Sequence, residues 1–247
     1  MDEIPIVKPP WSGLGKKIES VIRKALFDFK MVDGIPKLGV ALSGGKDSLT
    51  LLYMLKAISG RGFPNFQLYA IHVSGEFSCG AGVNTNYLRK ICECLDIPFL
   101  VRESTQKLES LECYSCSRER RRLLFDAAKE QGVEVIAFGH HRDDNVQTVL
   151  MNLLHKGEFC GTLPKIQMHD YRVTIIRPLI YVSEQDIRNF AHQQGFMRIS
   201  CRCPVGQNSM RKQVDKLIGE IELLYPHARE NIASGVLTYG SDKALRK

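Results

Sequence analysis

The sequence predicts an α/β protein built on a doubly wound, mostly parallel β-sheet. Short apolar segments typical of buried strands alternate along the chain with longer segments whose apolar residues recur at helical spacing. Two of the predicted strands run directly into polar, glycine-containing turns, at residues 43–48 and 139–145. Because parallel strands end at the same edge of a sheet, we expect both turns at one ligand-binding edge.

The predicted elements begin with an amphipathic helix over residues 18–29, whose apolar and basic positions alternate at helical spacing. Glycine-rich turns then separate strands from helices. The strands are expected from residue 38 and at 67–73, 98–102, 133–138 and 172–176. The further helices are expected at 49–58, 84–95, 118–131, 143–154, 184–195 and 214–224, with Ser183 capping the helix at 184. Residues 235–247 are expected to form a loose tail.

Composition places the chain among ordinary soluble proteins. Of 247 residues, 44% are hydrophobic and 25% charged, with no run of apolar residues long enough for a membrane span. The acidic, proline-containing start differs from a signal peptide, so we expect a cytoplasmic protein with no membrane partner. The net charge of +7 suits a polyanionic partner without requiring one. Basic residues cluster in one predicted helix, at Arg118, Arg120, Arg121 and Arg122.

The turn after the first strand has the composition of a phosphate-binding loop. It consists of Ser43, Gly44, Gly45, Lys46, Asp47 and Ser48. Glycines let the backbone approach an anion, and the unpaired N–H groups of a helix start point at it. The spacing differs from both the Walker pattern and the dinucleotide-binding pattern. The alternative is a glycine-rich turn without a ligand.

The cysteines indicate a metal or cluster site. Eight cysteines without an export signal favour thiol or metal chemistry over disulfides, and four of them fall in two pairs: Cys113 with Cys116, and Cys201 with Cys203. Four thiolates would make a closed zinc site, whereas three would hold an iron–sulfur cluster with one iron left open. Buried or redox-active cysteines are the third interpretation.

The turn after the strand at 133–138 carries two neighbouring carboxylates, Asp143 and Asp144, behind Gly139 and His140. Carboxylate oxygens suit Mg²⁺, which would offset the charge of nucleotide phosphates. Histidines at this position are candidates for contacts with a nucleotide or substrate. The alternative is that the acidic pair caps the following helix.

Taken in order, these motifs resemble the TtcA family of tRNA 2-thiocytidine synthetases. The similarity covers about residues 15–225 and includes the segment Ile176-Arg-Pro-Leu179. It implies a sheet of the PP-loop adenine-nucleotide α-hydrolase type over 35–225, with the cysteine site inside that domain. Residues 1–34 would be a helical extension, and 226–247 a C-terminal tail.

The resemblance also implies the chemistry: ATP activates C2 of cytidine 32 in the tRNA anticodon loop, and sulfur replaces oxygen there. A [4Fe-4S] cluster would be held by Cys113, Cys116 and Cys203, with Cys201 as the substitute for Cys203. The expected catalytic residues are Lys46, Asp47, Asp143 and Asp144, with Mg²⁺ on one of the last two. ATP would bind residues 43–48 with its adenine near His72, Gly139 and His140.

The expected partners are tRNA, a sulfur donor system such as a cysteine desulfurase, and a second copy of the chain. Related 2-thiouridine enzymes carry cysteine pairs at both ends, and here no cysteine precedes residue 79 or follows Cys203. Two other functions stay open. One is a PP-loop enzyme that thiolates another tRNA base or a small molecule. The other is a non-catalytic nucleotide-binding protein with a structural zinc site.

Overall fold

The computed structural model describes residues 5, 7–11, 13–75, 84–105, 113–196 and 210–241, with the backbone alone for 113–115. The strands are β1 Lys37–Ala41, β2 Gln67–Ser74, β3 Phe99–Glu103, β4 Val135–Ala137, β5 Lys165–Met168 and β6 Val173–Ile176. The helices are α1 Gly13–Asp28, α2 Lys46–Ile58, α3 Thr85–Cys94, α4 Cys113–Glu130, α5 Arg142–Lys156, α6 Glu184–Gln193, α7 Met210–Leu224 and α8 Ala228–Tyr239.

The strands form one sheet in the order β3-β2-β1-β4-β6-β5. All neighbouring pairs are parallel except β5 with β6, which is antiparallel. The predicted doubly wound, mostly parallel sheet is therefore confirmed. Strand β5 was not predicted from the sequence, because Lys165 and Gln167 alternate with half-buried residues at the edge of the sheet and no apolar run marks the strand.

Alternating strand residues fill two cores, one on each face of the sheet. In β2, Leu68 and Ala70 pack towards α1, α2 and α6, whereas Ile71 and Val73 pack against α4. This period of two is the ordinary geometry of a strand that is buried on both faces. The buried face of the predicted N-terminal amphipathic helix includes Ile22, which is fully buried in the first core.

The C-terminal segment differs from the expected loose tail, because residues 228–239 form helix α8. Its Ala233 is buried together with Val146 of α5 and with Val214 and Ile218 of α7. The prediction was wrong for residues 235–239. Gly235 lies inside the helix, where a methyl group would be 3.7 Å from the ring of Phe159. The buried positions of α8 are mostly alanines, which carry a weak hydrophobic pattern.

The strand order reverses direction next to β1, because the chain crosses from β1 to β2 on one side and continues at β4 on the other. In open α/β sheets, ligands bind outside the carboxyl ends of the strands at such a point. The turns at 43–48 and 139–145 follow β1 and β4 directly. Among the described residues, no helix is both long and apolar enough to cross a membrane.

Candidate active site

The turn between β1 and α2 has the geometry of an anion-binding loop. Gly44 has a φ of +83°, in the region that favours glycine, and Gly45 precedes the first turn of α2. The hydroxyl of Ser43 accepts a hydrogen bond from the Gly45 N–H at 3.3 Å, and Ser48 donates its hydroxyl to the Gly45 carbonyl at 3.0 Å. In the described part of the chain, no side chain caps this helix start. Its first N–H groups therefore point at the position of a phosphate.

The end of β4 lies directly against this loop. A methyl group at Gly139 would be 3.2 Å from the carbonyl carbon of Asp47 and 3.2 Å from the backbone nitrogen of Ser48. Such distances are shorter than ordinary packing contacts, so only glycine fits without displacing the loop. The expectation that the two polar turns meet at one edge of the sheet is confirmed.

The ammonium group of Lys46 lies between two carboxylates. Its Nζ atom is 2.9 Å from Oδ1 of Asp47 and 3.1 Å from Oε1 of Glu184, the first residue of α6. Burial favours the neutral amine, but both carboxylates outweigh it and raise the pKa of Lys46. Burial also disfavours the charged form of Glu184, yet Arg188 and Lys46 lower the pKa of Glu184 to about 2. Lys46, Glu184 and Arg188 are therefore charged at neutral pH.

His72 supports the backbone before the loop. Its ring is 1% exposed, and Nδ1 lies 2.7 Å from the carbonyl oxygen of Leu42, to which it donates a hydrogen bond. Burial lowers the pKa of His72, although the bond to Leu42 opposes that change. The expected contact of His72 with adenine stays a prediction. In the structure the ring stabilises the strand end from which residues 43–48 begin.

His141 and Asp144 form the first turn of α5. Nδ1 of His141 accepts a hydrogen bond from the Asp144 N–H at 3.4 Å, and Asp144 accepts one from the His141 N–H at 3.1 Å. The capping interpretation is therefore confirmed for Asp144. The other oxygen of Asp144 faces Arg211 of α7 at 3.4 Å, and Nε2 of His141 is 3.8 Å from Asp47. The expected Mg²⁺ contact of Asp144 stays a prediction.

Asp143 turns away from the loop, towards the C-terminal helices. It is 5% exposed; Oδ2 accepts a hydrogen bond from the Glu184 N–H at 2.8 Å, and Oδ1 is 3.2 Å from Nη1 of Arg229. Arg229 also pairs with Asp215 at 3.1 Å and Glu222 at 2.8 Å. These groups line a polar cleft of about 590 Å³. Both oxygens of Asp143 are already engaged, so its expected role as a Mg²⁺ ligand stays a prediction.

His140 and Arg177 stand at neighbouring strand ends, since Ala137 of β4 pairs with Ile176 of β6. The ring of His140 stacks on Phe138, with centroids 5.9 Å apart and an angle of 11°. Burial, followed by the positive charge of Arg177, lowers the pKa of His140 to about 4. Burial also lowers the pKa of Arg177, to about 10. His140 is thus neutral at pH 7 and Arg177 is charged.

The first turn of α4 brings the Cys113 and Cys116 positions to the same edge of the sheet. A crossover helix runs opposite to the parallel strands it joins, so α4 begins at their carboxyl ends. Residues three apart share one side of a helix, and Cys116 is half-buried. The side chain of Cys113 and all of Cys201 and Cys203 lie outside the described residues, within which no three His, Cys, Asp or Glu side chains converge on a metal site. The cluster-ligand role of these cysteines stays a prediction.

Comparison with known proteins agrees with this architecture. The PP-loop domain family matches residues 15–199. The tRNA-cytidine(32) 2-sulfurtransferase of Syntrophotalea carbinolica is 32% identical over 93% of this chain and 90% of its own length. The enzyme of the same description from Coxiella burnetii (strain RSA 493 / Nine Mile phase I) is 35% identical over 88% of this chain and 87% of its own. The chain belongs to this family of PP-loop tRNA sulfurtransferases.

Among solved structures, this sulfurtransferase is similar to the U34-tRNA thiolase NcsA from Methanococcus maripaludis, which was determined with its [4Fe-4S] cluster. The TM-score is 0.73, with 25% identity over 90% of this chain and 78% of the other. The predicted family and enzyme class are confirmed. Activity on tRNA is thus supported at the level of thiolation.

Two site residues of this PP-loop sulfurtransferase were missed from the sequence. Glu184 was assigned only to the start of a helix, and Arg229 lies in the segment interpreted as a tail. Neither belongs to a recognisable motif, because each meets the site across a long stretch of chain. Arg177 lies in the segment Ile176-Arg-Pro-Leu179, but the sequence of that segment does not indicate which groups the Arg177 side chain faces.

Proposed function

We propose that the protein uses ATP to replace O2 of cytidine 32 in tRNA by sulfur. The observation that carries the proposal is that the phosphate-binding loop and the first turn of α4, with Cys113 and Cys116, lie at one edge of the sheet, with α2 and α4 on its two opposite faces. A reaction that needs an activated oxygen and an incoming sulfur at the same carbon requires that proximity. The choice of cytidine 32 as the target base follows the relatives, which are described as tRNA-cytidine(32) 2-sulfurtransferases.

In the first step, O2 of the cytosine attacks the α-phosphorus of ATP. A P–O bond forms, the bond to the bridging oxygen breaks, and pyrophosphate leaves with the electron pair. The N–H groups at the start of α2 and the ammonium of Lys46 stabilise the negative charge that develops. Lys46 is held beside the loop by Asp47 and Glu184, so binding of the phosphates exchanges these partners. His72 positions the loop through its hydrogen bond to the carbonyl of Leu42, directly before Ser43.

In the second step, a sulfide nucleophile adds at C2, and AMP leaves with the original O2 while the sulfur proton is lost to solvent. The sulfur comes from a donor system such as a cysteine desulfurase, and two thiols reduce its persulfide to sulfide and leave as a disulfide. Two copies of the chain form the working enzyme. Arg118, Arg120, Arg121 and Arg122 of α4 lie beside the cysteine turn and suit the tRNA backbone.

Two inorganic groups fit the residues around the reacting base. Cys113, Cys116 and Cys203, with Cys201 as the substitute, would hold a [4Fe-4S] cluster, which supplies an open iron that binds sulfur. Asp144 would hold Mg²⁺, which offsets phosphate charge. Asp144 fits that role better than Asp143, because its side chain is 23% exposed whereas that of Asp143 is 8% exposed.

The decisive experiment is thiolation by anaerobically purified enzyme with ATP, sulfide and an unmodified tRNA transcript, followed by nucleoside mass spectrometry. We expect 2-thiocytidine and one AMP for each thiolated base. A transcript with adenosine at position 32 should yield none. Thiolation of that transcript at an undiminished rate would contradict the proposed base.

Two variants, each with a control, test the activation step and the sulfur-insertion step separately. Lys46→Met should lower the rate at least about 100-fold, because one preorganised charge contact is lost, and Lys56→Met at the end of α2 is its control. Cys116→Ser should lose the cluster absorption and thiolation while it keeps ATP binding, whereas the exposed Cys94 of α3 can be changed to serine without effect. A colourless wild-type protein with one bound zinc would favour the non-catalytic alternative.

A further inference from the structure

His140 and Arg177 have hydrogen-bonding groups that the fold does not use. The guanidinium of Arg177 donates from Nη1 to the Leu163 carbonyl, which anchors the side chain. Its buried Nε and the buried Nδ1 of His140 have no hydrogen-bond partner among the described residues. Nε of Arg120, Nε of Arg142 and Nδ2 of Asn145 also lack a hydrogen-bond partner within the described part of the chain. His72 and Asp143, by contrast, are bonded. Buried polar groups without a partner are rare and often mark a ligand site.

The location of the pair matches the position that a target base must occupy. Gly139, next to His140, touches the first turn of α2, so the pair adjoins the phosphate loop. On the other side, Phe138, on which His140 stacks, packs against the core that contains Phe125 of α4, the helix that begins with the cysteine turn. Both residues are half-buried, so each side chain keeps some exposed surface, although Nδ1 of His140 and Nε of Arg177 are themselves covered.

The chemistry of the two groups distinguishes cytosine from uracil. Arginine can only donate hydrogen bonds, and cytosine offers two adjacent acceptors, N3 and O2. A neutral imidazole has one lone pair, which suits the N4 amino group of cytosine. Uracil would turn its N3–H towards the guanidinium, donor against donor, and has a carbonyl in place of the amino group. A site built for hydrogen bonds rejects an analogue that leaves them unmade.

We propose that Arg177 and His140 bind the Watson–Crick edge of the target cytosine and so set its selection over uracil. This proposal rests on the proposed function, since it concerns the base that is thiolated there. Arg177 contacts N3 and O2, and His140 contacts N4. Loop nucleotides of tRNA are single-stranded, which leaves this edge free for a protein to contact. Near His140, Arg211 contacts the carboxylate of Asp144 at 3.4 Å.

The test uses the full chain with a non-hydrolysable ATP analogue and fluorescent anticodon stem-loops that carry C32 or U32. Wild-type protein should bind the C32 loop more tightly than the U32 loop. Arg177→Lys keeps the charge but loses the planar fork, so we expect the preference for C32 to fall about 10- to 100-fold. His140→Phe should lower it similarly. Affinity for the ATP analogue alone should change less than about twofold.

Arg61→Lys, at the far end of α2, is the matched control and should keep the full preference. A parallel loss of affinity for the ATP analogue in Arg177→Lys would overturn the proposal, because the guanidinium would then serve a phosphate. Unchanged discrimination in both site variants, with wild-type protein still selecting C32, would also overturn it and leave the proposed function intact. If wild-type protein prefers U32, the proposed function fails together with this one.

Discussion

The neutral state of His140 predicts a pH dependence of stability that one substitution should remove. Burial lowers the pKa of this ring from the usual 6.5 to about 4 in the folded protein. Between these two pH values the unfolded chain binds a proton that the folded chain does not bind. The free energy of unfolding therefore falls as the pH drops from 6.5 to 4, and His140 adds no further loss below that window.

The magnitude follows from the difference between the two pKa values. Each pH unit of that window corresponds to about 1.4 kcal/mol, so a fully buried ring would lose about 3 kcal/mol. The ring is only half-buried by exposed area. Solvent screening reduces the effect, and we expect a loss of about 2 kcal/mol attributable to His140.

The assay is urea unfolding of wild-type protein and His140→Gln at several pH values from 7 to 4. Carboxylates titrate over the same range in both proteins, so the difference between the two curves isolates the imidazole. His169→Gln, which removes an exposed histidine, is the control and should follow the wild-type curve. A difference between wild type and His140→Gln that does not change with pH would refute the reasoning.

Three other substitutions test the packing around the site, each by urea unfolding. Arg229→Met should destabilise the fold by about 2–4 kcal/mol, because the buried Asp143 keeps only Arg142 as a cation partner, at 3.8 Å. Adding Asp143→Asn should recover part of that loss, and a fully additive double variant would contradict this coupling. Gly161→Ala should cost about 1–3 kcal/mol, since its new methyl group would lie 2.2 Å from Oδ1 of Asn145. Gly219→Ala in α7 has open space and should stabilise the fold by up to about 1 kcal/mol; equal effects of the two alanines would show that the 161 contact relaxes freely.

Local patterns were sufficient to predict the sheet, most helices and the loop at 43–48. Strand and helix periods differ, and glycine and serine in a strand-to-helix turn have few other uses, so neighbouring residues carry this information. Helix α8 was not predicted because its buried positions are mostly alanines, and alanine is too weakly hydrophobic to produce a clear amphipathic pattern.

The sequence by itself determined the fold class, the phosphate loop and the residues that belong to each motif. Only the tertiary structure decided what those residues face. Asp143 and Asp144 are adjacent in the chain, yet one turns to Arg229 of the C-terminal helix and the other lies beside the loop. Lys46 forms an ion pair with Glu184. His140 and Arg177 follow paired strands, because the sheet order places β4 beside β6. Such pairings depend on how the strands are ordered, which no local sequence pattern encodes.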